Sequence, residues 1–149
     1  MLHLAQFVAL VACSLFAGAA LYVNVVEHPA RMRLDTPAAA MAWAASHRRA
    51  MLLETVLAIA TFAGGVWAYL LGGRVLWLVG AILVGLVAPW VAVVLRPVNR
   101  RMLDAERDVA SSDTRKLLVK WARLHAVGTE LSLAALILFA VALLRNAPP

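Results

Sequence analysis

Asn24, Glu27, His28 and Arg31 stand at i, i+3, i+4 and i+7, the spacing that lines side chains along one face of an α-helix. They follow about twenty apolar residues, where a segment of that length would leave a membrane. Further on, His47 and Glu54 share a helix face at i and i+7, and Arg123, His125 and Glu130 open the last apolar run. A charged carboxylate inside a span costs on the order of 2.5–3.5 kcal/mol, so Glu54 and Glu130 should face a bundle interior and find partners. Arg31, Arg48, Arg123 and His125 are the candidates. His28, His47 and His125, with Glu27, Glu54 or Glu130, would also make a His/carboxylate donor set suited to iron, zinc or copper. No pair carries a local signature such as His-Glu-x2-His. A bis-histidine haem wants ligands facing each other inside the membrane, and these stand at its edge. Metal and haem therefore stay open. The plain alternative is that these groups are interfacial charges tying helix ends together, as Arg48, Arg49, Arg100 and Arg101 read.

The elements that must position them are membrane spans. The chain has 149 residues, 64% hydrophobic and 15% charged, with a mean hydropathy of +0.84; soluble domains carry roughly 25% charged residues. Four apolar runs, about 4–26, 50–71, 75–95 and 124–144, are each long enough to cross the hydrocarbon. Four such runs leave too little polar surface for a soluble fold. The expected fold is an all-α, antiparallel four-helix integral membrane bundle forming a single domain, 1–149.

Pro29 should end or kink the first helix at His28. Ala17-Gly-Ala-Ala20 offers a small-residue patch for close helix approach. Thr36-Pro37 reads as a helix start with Thr36 as N-cap, so the second helix should run unbroken over about 37–71 and protrude from the membrane. Gly72-Gly73-Arg74 is too short for anything but an antiparallel hairpin. Trp67, Tyr69 and Trp77 cluster there as interfacial aromatics do. Pro89 should kink the third span. Ser111-Ser112-Asp113 is an N-cap cluster from which the last helix should reach Arg145, again protruding at its start. The tail at 146–149 should fray. The single cysteine, Cys13, reads as packing. No internal repeat stands out.

Charge sets the expected orientation. The segments joining spans 1 to 2 and 3 to 4 hold twelve of the 14 Lys and Arg; only Arg74 and Arg145 lie at the other end. The positive-inside rule then places loops 1 and 3 in the cytoplasm and both termini outside. The net charge of +6 is explained by these loops without nucleic acid. Lys116 and Lys120 are the only lysines beside twelve arginines, a composition that fits a GC-rich bacterial genome and hence a bacterial cytoplasmic membrane.

The succession Gly18-Ala-Ala-Leu-Tyr-Val-Asn-Val-Val-Glu-His-Pro-Ala-Arg31, Ser46-His-Arg-Arg-Ala50, Pro89 with Arg96-Pro-Val-Asn-Arg-Arg-Met-Leu103, and Trp121-Ala-Arg-Leu-His-Ala-Val127 resembles the anthrone oxygenase-like family of small four-helix membrane proteins. The resemblance covers nearly the whole chain. It implies an oxygenase or oxidoreductase with molecular oxygen as co-substrate and a flat, apolar, phenolic substrate. The matching positions are Asn24, Glu27, His28, Pro29, Arg31, Arg48, Pro97, Asn99, Trp121 and His125. The chain departs from the family pattern at His47, at Glu54 and at Gly128-Thr-Glu130.

An anthrone is acidic at the carbon between its rings. On the resemblance, His125 or His28 would be the base, oriented by Glu27 or Glu130, and Arg31, Arg48 or Asn99 would stabilise the enolate oxygen. Asn24, His47, Glu54 and Trp121 would complete the substrate site at the cytoplasmic interface. The competing reading is a non-catalytic bundle that binds a lipid, a quinone or a partner protein; small-residue ridges left outward would suggest a homo-oligomer. A cavity lined by histidine and carboxylate favours the first reading, a filled and fully paired cluster the second.

Overall fold

The computed structural model describes residues 1–145; the tail expected to fray lies outside the described residues. The chain forms four long helices, α1 (Leu2–Arg31), α2 (Thr36–Leu70), α3 (Val75–Met102) and α4 (Ser112–Leu144), with no strand among the described residues. All four are long and apolar enough to cross a membrane. Leu52, Leu53, Val56, Ile59, Val93 and Ile137 are exposed on the outside of the bundle, an apolar surface suited to lipid and costly in water. The protein is a multi-pass membrane protein.

The helices pack in a ring, α1 against α2 and α4, and α3 against α2 and α4. Glycines set the close approaches. A Cβ on Gly64 would stand 2.8 Å from the backbone nitrogen of Ala9 on α1, and one on Gly65 2.9 Å from the carbonyl of Trp77 on α3. These two glycines of α2 are thus spent inside the bundle. Gly18, expected to serve close packing, has nothing within 4 Å of such a Cβ; its neighbours Ala17 and Ala20 are the buried ones. Gly64→Ala is therefore expected to destabilise the fold by about 1–3 kcal/mol through overpacking. Gly18→Ala should be neutral or stabilising by up to about 1 kcal/mol through helix propensity. Thermal unfolding of the two variants in detergent checks the contrast.

Asp35, rather than Thr36, caps α2: its Oδ1 accepts from the Ala38 N–H at 2.8 Å, and Thr36-Pro37 fill the first turn, where the missing proline N–H costs nothing. Ser111 caps α4 as expected, accepting from the Thr114 N–H at 3.2 Å. Gly72 makes the hairpin turn with φ +88. Trp77 is fully buried and stacked on Phe139 at 4.9 Å, so it belongs to the core and not to an interfacial belt. Trp67 and Tyr69 do face outward.

The prolines act together with the turns before them. Helix α1 passes through Pro29 to Arg31 because Val23–Glu27 widens into a π turn, in which His28 N–H reaches back five residues to the Val23 carbonyl. A proline ring crowds the carbonyl four residues back and removes one donor; one extra residue in the preceding turn relieves both demands. Helix α3 does the same: Val91–Leu95 is a π turn, Arg96 N–H bonds the Val91 carbonyl, and Pro97 follows. The two segments align as Val23-Asn-Val-Val-Glu-His-Pro-Ala-Arg31 and Val91-Ala-Val-Val-Leu-Arg-Pro-Val-Asn99. Each is followed on the next helix by Trp-x3-His, at Trp43 and His47 and at Trp121 and His125. The two hairpins thus repeat one pattern of π turn, proline and Trp-x3-His.

Pro89 has a further effect. The helix interrupts its regular winding at Leu86. Before that point α3 lies against both α2 and α4; beyond it α3 keeps to α4 and leaves α2.

Candidate functional site

Two apolar clusters fill the bundle, one around Phe16, Trp77, Val84 and Phe139, the other around Trp43, Leu95, Leu118 and Trp121. Between them lies a cavity of about 60 Å³. The repeat supplies its walls in pairs: Val23 with Val91, Glu27 with Leu95, Arg31 with Asn99, Trp43 with Trp121, His47 with His125, Ala50 with Gly128. Each Trp stacks on the His one turn later, Trp43 on His47 at 4.3 Å and Trp121 on His125 at 4.8 Å. Two flat aromatic walls thus face a common space.

One wall carries a polar chain through three helices. Asn24 on α1 donates from Nδ2 to Thr129 Oγ1 at 2.6 Å, and its Oδ1 lies 3.1 Å from His125 Nδ1 on α4. With that amide orientation Nδ1 is the donor, because the oxygen opposite it can only accept. His125 Nε2 in turn lies 3.4 Å from Glu54 Oε1 on α2. With Nδ1 carrying a proton, Nε2 and the carboxylate each turn a lone pair toward that contact, so a proton arriving there is attracted by both. Both side chains are mostly buried, 10% and 20% exposed.

The other polar group is an ion pair. Arg31 donates to Glu27 and, at 3.2 Å, to Ser46 Oγ, which also donates to Glu27 at 3.3 Å. Arg31 is buried, and its Nη1 has no hydrogen-bond partner among the described residues. The same holds for Trp43 Nε1, Trp121 Nε1 and the Oδ1 of buried Asn99. All four residues line the cavity. A buried polar atom left unpaired costs about 1–3 kcal/mol, and the residues around the cavity gather four such atoms.

Several candidates from the sequence stand elsewhere. Glu130 is exposed on the outer face of α4, and Arg48 is exposed on α2; neither lines the cavity. Glu54 takes the place expected of Glu130 beside His125. His28 is buried behind Trp121, ring to ring at 5.8 Å, outside the cavity lining. Asn24 reaches the site through its bonds to His125 and Thr129. Trp43, Ser46 and Thr129 join the site without having been singled out for it. Trp43, His47, Ala50 and Glu54 repeat the i, i+4, i+7, i+11 spacing that Trp121, His125, Gly128 and Ser132 show on α4, a signal that was available in the chain. Among the described residues no three His, Cys, Asp or Glu gather as a metal would require.

A family model described as anthrone oxygenase matches residues 43–138, well over half the chain. The chain belongs to the anthrone oxygenase family. No curated protein and no solved structure matches it. For this anthrone oxygenase family member the matched stretch includes Trp43, His47, Glu54, Asn99, Trp121 and His125, while Asn24, Glu27 and Arg31 precede it. The geometry nevertheless ties α1 into the same site.

Proposed function

We propose that the protein is a membrane oxygenase acting on a hydrophobic phenolic or anthrone-like substrate, with the Glu54–His125 pair as base. The observation that carries this is the pair itself, set on a cavity in a member of the anthrone oxygenase family. The positive-inside rule puts that cavity at the cytoplasmic side of the membrane, with both termini outside.

The substrate's acidic C–H gives its proton to the Glu54–His125 contact, leaving a carbanion delocalised as an enolate. Arg31 Nη1 and the two tryptophan N–H groups are donors for the enolate oxygen, in surroundings where water is scarce and such bonds count for more. Molecular oxygen then adds at the carbon, and the proton returning from the pair completes a hydroperoxide. Loss of the second C–H proton with cleavage of the O–O bond gives a carbonyl and water. Overall a CH2 group and O2 become C=O and H2O. The space between the tryptophan walls supports this reading over a closed bundle whose polar groups only hold the helices together.

The purified protein should accelerate oxygen uptake by anthrone above its spontaneous rate, with one O2 consumed per anthrone and no peroxide released. An oxygen electrode with a peroxide assay reads both. Uptake at the spontaneous rate would sink the proposal.

A further inference from the structure

The cavity is small for the substrates its family name suggests. A cavity of roughly 150 Å³ is what holds a benzene, and this one has about 60 Å³. It takes the oxygen-bearing edge of one ring. The rest of the molecule must lie where the cavity continues, and it continues sideways. Where α3 leaves α2 beyond Leu86, a groove of about 440 Å³ opens toward the lipid; it shares His47, Glu54 and Asn99 with the cavity. At one end stand Arg96 and Arg100, exposed and charged. At the other it passes Ala58, Ile59 and Ala88 into a second groove of about 400 Å³ walled by Phe62, Ile82 and Gly85.

We infer that this α2–α3 seam binds a hydrocarbon tail, and that the substrate is a single-ring phenol carrying one, whose keto tautomer supplies the CH2 of the proposed reaction, entering from the bilayer ring edge first. The inference rests on the proposed oxygenase reading for the ring chemistry and adds the body of the molecule. Buried Asn99 stands at the junction of cavity and groove with its Oδ1 unpartnered among the described residues. Asn99, Arg31, Glu54 and His125 put the polar side chains at the cavity end, whereas the far groove is lined by apolar residues alone. A ring bearing oxygen suits the first and a hydrocarbon tail the second. The guanidinium end of the seam repels a hydrocarbon, so the tail runs the other way, along Ala58 and Ala88 toward Phe62. A rigid tricycle would leave that far stretch to bulk lipid; a tailed ring fills both.

The test uses the full chain in nanodiscs and a decyl hydroquinone bearing a photoreactive diazirine at the tail end. Labelling is expected on residues 58–63 and 82–88, removed by excess untagged decyl hydroquinone. Binding read by tryptophan quenching should weaken roughly tenfold or more in Ala88→Trp, which overfills the seam, while methyl hydroquinone binds that variant as it binds wild type. Ala58→Phe serves as the second block, with melting temperatures confirming that both fold. Labels spread evenly over the lipid-facing helices, or seam labels that excess ligand does not remove, would assign the groove to bulk lipid and overturn the inference. So would anthrone binding as tightly as the tailed ring. Each readout is binding, so tail labelling without oxygen uptake defeats only the oxygenase proposal, and oxygen uptake without tail labelling defeats only this one.

Discussion

His125→Ala is expected to slow oxygen uptake at saturating substrate by about 100-fold or more, within the 10²–10⁴ that a positioned base supplies. Glu54→Gln should lose about as much, because an amide lacks the carboxylate charge that stands 3.4 Å from His125 Nε2 and draws the incoming proton there. The two groups act on one proton, so the double variant should be no slower than the worse single one. Glu130→Gln and Arg48→Gln alter exposed residues outside the cavity and should keep the rate within about twofold, as surface changes away from a site usually do. Steady-state oxygen consumption with melting temperatures as a folding control separates these cases. Additive losses, or a large effect of Glu130→Gln, would remove the pair from the base role.

The second large effect concerns stability. Glu27→Leu is expected to destabilise the fold by about 3–5 kcal/mol, because it leaves a buried guanidinium with only Ser46 Oγ as partner. The reverse change should cost less. The Arg31 side chain is 4% exposed and that of Glu27 33%, so Arg31→Leu leaves a carboxylate that water reaches and that Ser46 still contacts. Removing both together should cost less than the sum of the singles. Unfolding in detergent micelles, followed by tryptophan fluorescence, gives the three values. Equal and additive losses would mean that the pair is solvated.

The four spans, the α2–α3 hairpin and the starts of α2 and α4 were legible because hydropathy, Gly72-Gly73 and the Ser111 cap are local signals. The stripe Asn24, Glu27, His28, Arg31 was legible only as residues. Its single face assumed 3.6 residues per turn, and the π turn at Val23–Glu27 breaks that period. Asn24 faces α4, Glu27 and Arg31 face Ser46 on α2, and His28 backs onto Trp121. The same widened turn lets α1 run through Pro29. Which carboxylate meets His125 depends on how α2 and α4 are rotated about their axes. Gly64 and Gly65 fix that rotation for α2 by docking on Ala9 and Trp77, a tertiary fact with no counterpart in local spacing. Hence Glu54 stands inside and Glu130 outside.

The two hairpins share their π turns, prolines and Trp-x3-His pairs and differ where the cavity becomes polar: Glu27 against Leu95, Arg31 against Asn99, Ser46 against Leu124, Glu54 against Ser132. A planar ring held between the two tryptophans would therefore meet unlike edges, carboxylates and a guanidinium from the first hairpin and an amide from the second. Which ring position faces the Glu54–His125 pair would then be set by the protein, through the places where one half of the chain departs from the other.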